Sequence, residues 1–146
     1  MQGTGPEMPE KLEIRLPWPS RAMSSNARGH WSKKAKAASM YRYTCKMISL
    51  ETIQAGKWDI QALRDMVAAG TELHVFLDFY PPDRRRRDDN NLPGLFKSGL
   101  DGVADALGID DYLFRTHPFF HRDEVINGGE VRVTITTKKP TAGDTA

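Results

Sequence analysis

Residues 71–80, TELHVFLDFY, constrain the fold of this chain more than any other stretch. Leu73, Val75, Leu77 and Phe79 point to one side under the two-residue period of a β-strand. Glu72, His74, Phe76, Asp78 and Tyr80 point to the other, so both sides carry aromatic residues. A strand of that composition belongs in the middle of a sheet. Pro81 and Pro82 end it abruptly, since proline has no N–H to give to a ladder. The charged segment DRRRRDDNN follows at once.

The remaining elements fall around this strand. Lys11 to Leu16 alternates, with Leu12, Ile14 and Leu16 on the apolar side, and ends at Pro17 and Pro19. Residues 20–31 are small and polar and read as a loop. Ser32 to about Gln54 reads as a helix with Ser32 as its N-cap, and Asp59 to Ala69 as a shorter one, capped by Asp59 and stopped by Gly70. A third helix starts near Leu92, with Asn91 as cap and Pro93 in the first turn. Its apolar stripe is Leu92, Leu95, Phe96, Leu100, Val103, Ala106 and Leu107, and Gly108 ends it. A hairpin closes the pattern: Phe114 to Arg122, a turn near Asn127-Gly128-Gly129, then Glu130 to Thr137. This order predicts an α+β fold, a single mixed sheet of about four strands with helices packed on one face.

With 146 residues the chain reads as one domain, residues 11–137, between polar tails at 1–10 and 138–146. The single thiol, Cys45, excludes a disulfide framework and a multi-cysteine zinc site, and its neighbours Met47 and Ile48 mark it as core. No run approaches 18 apolar residues, so no membrane partner is expected. Glu7 and Glu10 precede any apolar run, which does not suit a secretory signal and leaves the cytoplasm as the expected compartment. Net charge is only +2, but its distribution is uneven. Arg84, Arg85, Arg86 and Arg87 are consecutive, and Lys33, Lys34, Lys36, Arg42 and Lys46 cluster earlier. Two basic regions on a nearly neutral chain point to a side that faces a polyanion.

Carboxylates gather at element ends. Asp83, Asp88 and Asp89 follow the central strand, and Asp110 and Asp111 follow the third helix. Mg²⁺ takes hard oxygen ligands and keeps several waters, so two or three carboxylates suffice. Such an ion serves phosphoryl transfer, with adjacent arginines binding the flanking phosphates. The competing reading is a solvated loop with internal ion pairs. A helix of about 15 residues is roughly 23 Å long. Asp88 and Asp111 therefore meet only if the loop after Gly108 folds back, or if a second subunit contributes. Lys97 either points to this site as a phosphate-binding or acid group, or flanks the stripe and pairs with Asp101 at i+4. His117 and His121 lie about 13 Å apart on a strand, too far to share a metal, while His30 and His74 have no obvious partner. A zinc site is not expected. Trp18, Trp31 and Trp58 read as packing anchors, except that Trp31, amid His30, Lys33 and Lys34, also suits base stacking.

Taken together, PPDRRRRDDNNL, LFKSGLDGVADALGIDD and the opening LEIRLPWPS resemble RusA-type Holliday junction resolvases, small homodimeric Mg²⁺-dependent endonucleases common in prophages. The resemblance runs from about Leu12 to Thr136. It implies a RusA-like fold and crossover junction endodeoxyribonuclease activity, in which paired nicks resolve four-way DNA junctions during recombination and repair. The first motif aspartate falls on Asp88, the second on position 90, the asparagine on Asn91, the lysine on Lys97, and the late pair on Asp110 and Asp111. The resemblance implies catalytic roles for Asp88, Asp111 and Lys97, and a metal site drawn from Asp88, Asn90, Asp110 and Asp111. DNA contacts would come from Arg84, Arg85, Arg86, Arg87, Lys33 and Lys34. It also implies Mg²⁺, with Mn²⁺ as a substitute, and a homodimer presenting two sites to the junction.

Asn90 departs from the pattern, since an amide oxygen brings neither negative charge nor basicity. The alternative is therefore a junction-binding protein of the same fold with impaired cleavage. A third reading is an unrelated nucleic-acid or protein interaction module with a charged loop.

Overall fold

The computed structural model describes residues 11–23, 31–87 and 89–138; the tails 1–10 and 139–146, Asp88, and residues 24–30, which hold His30 and most of the expected 20–31 loop, lie outside them. Four strands form one mixed sheet in the order β1-β4-β2-β3, where β1 is Leu12–Pro17, β2 Leu73–Tyr80, β3 Phe114–Phe120 and β4 Glu130–Thr136. β4 is antiparallel to both β1 and β2, whereas β2 and β3 run parallel. The chain is thus α+β, with β2 paired on both edges.

The expected hairpin is a correction. β3 and β4 do not pair; β2 lies between them. The Asn127-Gly128 turn does form, and Gly129 donates its N–H to the Ile126 carbonyl. The nine residues from 121 to 129 are long enough to carry the chain past β2 instead of straight back along β3. β3 reaches its parallel place beside β2 because a helical crossover precedes it.

Alternation along the strands decides the two faces. Ile14, Val133 and Leu77 are aligned and buried, and so are Leu16, Val131 and Phe79. Their neighbours Glu13 and Arg15 are exposed, while Phe76, Asp78 and Tyr80 are half-buried on the opposite side. His74, on that side too, is buried, and its Nδ1 lies 3.0 Å from Nε2 of His117 on the adjacent strand. His74 therefore has a partner, contrary to the sequence reading. Burial, reinforced by His74, lowers the His117 pKa.

Helices cover the apolar face. α1, Trp31–Ala55, buries Tyr41, Cys45, Ser49 and Ile53, one residue per turn. The Tyr41 hydroxyl donates to the Pro17 carbonyl at 2.5 Å and ties α1 to the end of β1. α2, Ile60–Ala68, starts as expected: Asp59 accepts the Ala62 N–H at 3.0 Å. The third predicted helix is broken in two, α3 over Leu92–Leu95 and α4 over Lys97–Leu107. Asn91 makes no side-chain cap; it belongs to a 3₁₀ turn, Asp89–Asn91, that runs into α3. α4 crosses α1 so closely that a Cβ on Gly102 would stand 2.3 Å from the Arg42 carbonyl oxygen. Among the described residues no helix is long and apolar enough to cross a membrane.

Candidate functional site

The backbone after α4 brings distant residues together. Gly108 adopts the left-handed conformation, φ 67°, that glycine takes at no steric cost. Arg64 of α2 caps the helix end by donating to the Leu107 carbonyl at 2.7 Å. Ile109 then buries itself, and Asp110 turns the chain into a short 3₁₀ turn, Asp111–Leu113. The result is a fold-back along α4. Asp111 forms an ion pair with Lys97, although Lys97 opens the helix and Asp111 follows its end.

Lys97 serves two carboxylates. Its ammonium also donates to Asp101 at 2.7 Å, one turn along the same helix. The i+4 pairing with Asp101 thus holds, and the same ammonium also pairs with Asp111. Hydrogen bonds to Asp101 and then Asp111 raise its pKa. The Lys97 contact, in turn, holds the Asp111 carboxyl below the ordinary carboxylate range. Asp105 continues the acidic row and is gripped by Arg42 of α1 through two hydrogen bonds, at 2.8 and 2.9 Å. Arg42, Asp101, Asp105, Asp110 and Asp111 line a shallow cavity of about 400 Å³.

Asp110 and Asp111 separate in role. Asp110 Oδ1 accepts the Tyr112 N–H at 3.0 Å, so it is the N-cap of the 3₁₀ turn. Asp111 turns its carboxylate to Lys97. Asp101, which the sequence reading treated only as a lysine partner, shares the Lys97 ammonium with Asp111.

The arginine run lies in the loop after β2 and lines a larger cavity of about 670 Å³. Asp83 organises part of that loop. It accepts from Arg85 and from Arg87, at 3.1 and 2.7 Å, which drives its pKa far down. Arg84 and Arg86 are exposed and make no ion pair among the described residues. Internal pairing, one of the two sequence readings, thus holds for Arg85 and Arg87. Asp89, next to the motif, is bound by Arg122 Nε at 2.7 Å. Lys33 and Lys34 are exposed on the first turn of α1, and Trp31 beside them is 75% exposed.

His121 was assigned no role from sequence. It follows β3, lines the larger cavity, and its Nε2 lies 2.7 Å from Asp78 Oδ1. Its ring stacks on Tyr80 with centroids 4.5 Å apart. The Asp78 contact depends on β2 and β3 being parallel neighbours, which the local pattern of either strand does not encode.

A divalent cation can be tested against the donors. Asp101 and Asp111 offer hard carboxylate oxygens that converge on one cation, the Lys97 ammonium, with solvent nearby. Carboxylates are ligands that Mg²⁺ takes, but both of these are paired with the Lys97 ammonium, which a dication would have to displace. Among the described residues no three His, Cys, Asp or Glu side chains form a metal-binding group. Asp88 lies outside the described residues, as does the side chain of Asn90, whose backbone is in the 3₁₀ turn before α3.

No protein-family profile matches the chain. It is 41% identical over 123 residues to an uncharacterized protein of Xylella fastidiosa strain Temecula1, an alignment covering 84% of this chain and 74% of that protein. The chain belongs to the same family as that protein. A shared fold follows at this identity; the relative's printed description adds no activity.

Proposed function

We propose that this protein is a RusA-type, Mg²⁺-dependent endonuclease that resolves four-way DNA junctions as a homodimer. The observation that carries the reading is the meeting of Lys97 and Asp111 across the fold-back after α4. These are two of the positions that the resemblance places in one site; Asp88, the residue that the sequence reading set a helix length from Asp111, lies outside the described residues. The exposed Arg84 and Arg86, with Lys33 and Lys34, supply cations for a polyanion.

Under this reading Asp111 and Asp101 would hold the ion once Lys97 turns from them to a phosphate, and the resemblance adds Asp88 to the ligands. When bound, the ion activates water and neutralises charge on the phosphate. Asp111 stays ionised at neutral pH because Lys97 lowers its pKa. Lys97 remains charged, since both carboxylates raise its pKa, so it binds a phosphate oxygen and is no general base. Asp110 positions the turn that presents Asp111. Asp111→Asn is expected to abolish cleavage of a synthetic four-way junction in Mg²⁺ while leaving its gel shift in Ca²⁺ intact. Full cleavage by that variant would overturn the site.

A second reading, junction binding with impaired cleavage, is favoured by Asn90, which lowers the charge of the motif. Restoring the carboxylate with Asn90→Asp should raise the rate at limiting Mg²⁺ by tenfold or more, about 1.4 kcal/mol of barrier. A Mg²⁺ titration of the two proteins side by side reads it. Superimposable curves would retire position 90 as a ligand.

A further inference from the structure

The larger cavity has two kinds of wall. Arg84 and Arg86, both exposed, line it together with the half-buried Trp18 and Phe120 and the fully buried Phe79. Phe120 stacks on Phe79, with centroids 5.5 Å apart and the planes 11° from parallel. Trp18 meets Phe79 edge-on at 6.4 Å. One side of Trp18 is closed by Gly129 and the Arg87 guanidinium lies over its ring at 5.8 Å, so Trp18 flanks the cavity and Phe120 is the stacking surface. Of the three lining carboxylates, Asp83 and Asp89 are held by arginines and Asp123 is exposed.

Phosphates of a duplex need only cations, and an aromatic floor does nothing for them. A volume of about 670 Å³ is that of a site for a small molecule or a single residue of a larger one. An unpaired nucleotide carries both complementary features, a flat base that stacks on aromatic rings and phosphates that meet arginine. We infer that this cavity takes one unpaired nucleotide of a DNA strand, its base on Phe120 and its flanking phosphates on Arg84 and Arg86. This deepens the junction reading, on which it rests for the choice of DNA: branch points are where a paired strand frees a base. It makes Phe120 a residue that selects branched over unbranched DNA.

The test uses the full chain and a single-stranded thymidine pentanucleotide with 2-aminopurine at its centre. Binding should change the 2-aminopurine fluorescence, and a blunt duplex with the same number of phosphates should compete poorly. Phe120→Leu, which keeps an apolar side chain of similar bulk, should weaken binding roughly tenfold and remove most of the fluorescence change. Replacing Arg84 and Arg86 by Ala should weaken binding and flatten its salt dependence, yet keep the fluorescence change at saturation. A folded Phe120→Leu variant with unaltered affinity and fluorescence would overturn the inference. So would a duplex that competes with the wild-type protein as well as the single strand does, a result that needs no variant to fold. Failure to cut a four-way junction, with these pentanucleotide results intact, would instead remove the resolvase reading and leave the cavity's ligand standing.

Discussion

Ser49 is fully buried on α1, and its hydroxyl has no hydrogen-bond partner. A buried unsatisfied polar atom costs about 1–3 kcal/mol, and serine is a weaker helix former than alanine. Ser49→Ala should therefore stabilise the protein by about 1 kcal/mol, read as a rise of roughly 2–4 °C in the melting temperature. Asp111 gives a second single-residue prediction. Its folded pKa is depressed by Lys97, so its contribution to stability is present above the unfolded carboxylate pKa of about 4 and fades as pH falls through the lower folded value. The Lys97 side chain is 57% exposed, which limits the pair to about 1 kcal/mol or less. Urea unfolding of Asp111→Asn beside the native chain should show a small gap at neutral pH that closes in acid. A gap that widened on acidification would mean that Asp111 is not held ionised by Lys97.

α1 and α4 meet at Gly102, where any side chain collides with backbone and not with a movable group. Gly102→Ala should cost about 3 kcal/mol, because α1 must be displaced to admit one methyl. A shift in the urea midpoint at unchanged slope would measure it. The elements themselves were legible where the signal is local. β2 announced its central place by carrying apolar residues on both faces, and Asp59 announced the start of α2 by its cap. Partners were less legible than elements. Asn127-Gly128 specifies a reversal of the backbone, but nothing in it names the strand that receives β4, so the hairpin reading failed while the turn stood. The break at Phe96 was hidden because the apolar stripe runs on unbroken through it. The meeting of Lys97 with Asp111 was hidden for a related reason. It depends on one left-handed residue, Gly108, and on a buried Ile109, whose joint effect is to reverse the path and which read singly only as a helix stop. Asp78 and His121 lie 43 residues apart and meet only through strand register.

At the scale of the molecule, the exposed cations are not equivalent. Arg85 and Arg87 are committed to Asp83, whereas Arg84 and Arg86 are open. On the single strand proposed for the cavity, each phosphate neutralised contributes about 0.7 to the log–log slope of affinity against salt. Arg84→Ala and Arg86→Ala should each flatten that slope by nearly this amount, and Arg85→Ala by much less; equal changes at all three would show that the Asp83 pairs open on binding. The sheet order has a consequence of another kind, for the making of the protein. β4 is the last strand along the chain, yet it lies between β1 and β2. During synthesis β1 waits without its partner while more than a hundred residues are added, and β2 can pair only with β3 until residue 130 has emerged. The sheet therefore closes late, by insertion of its final strand at an inner position, and pairing across so long a separation is slow. A chain stopped at residue 129 should show helical circular dichroism without a cooperative melt, because its first strand has no ladder to join. Ribosome-bound chains of increasing length should resist protease only once β4 has left the exit tunnel, and the protection should arrive in one step.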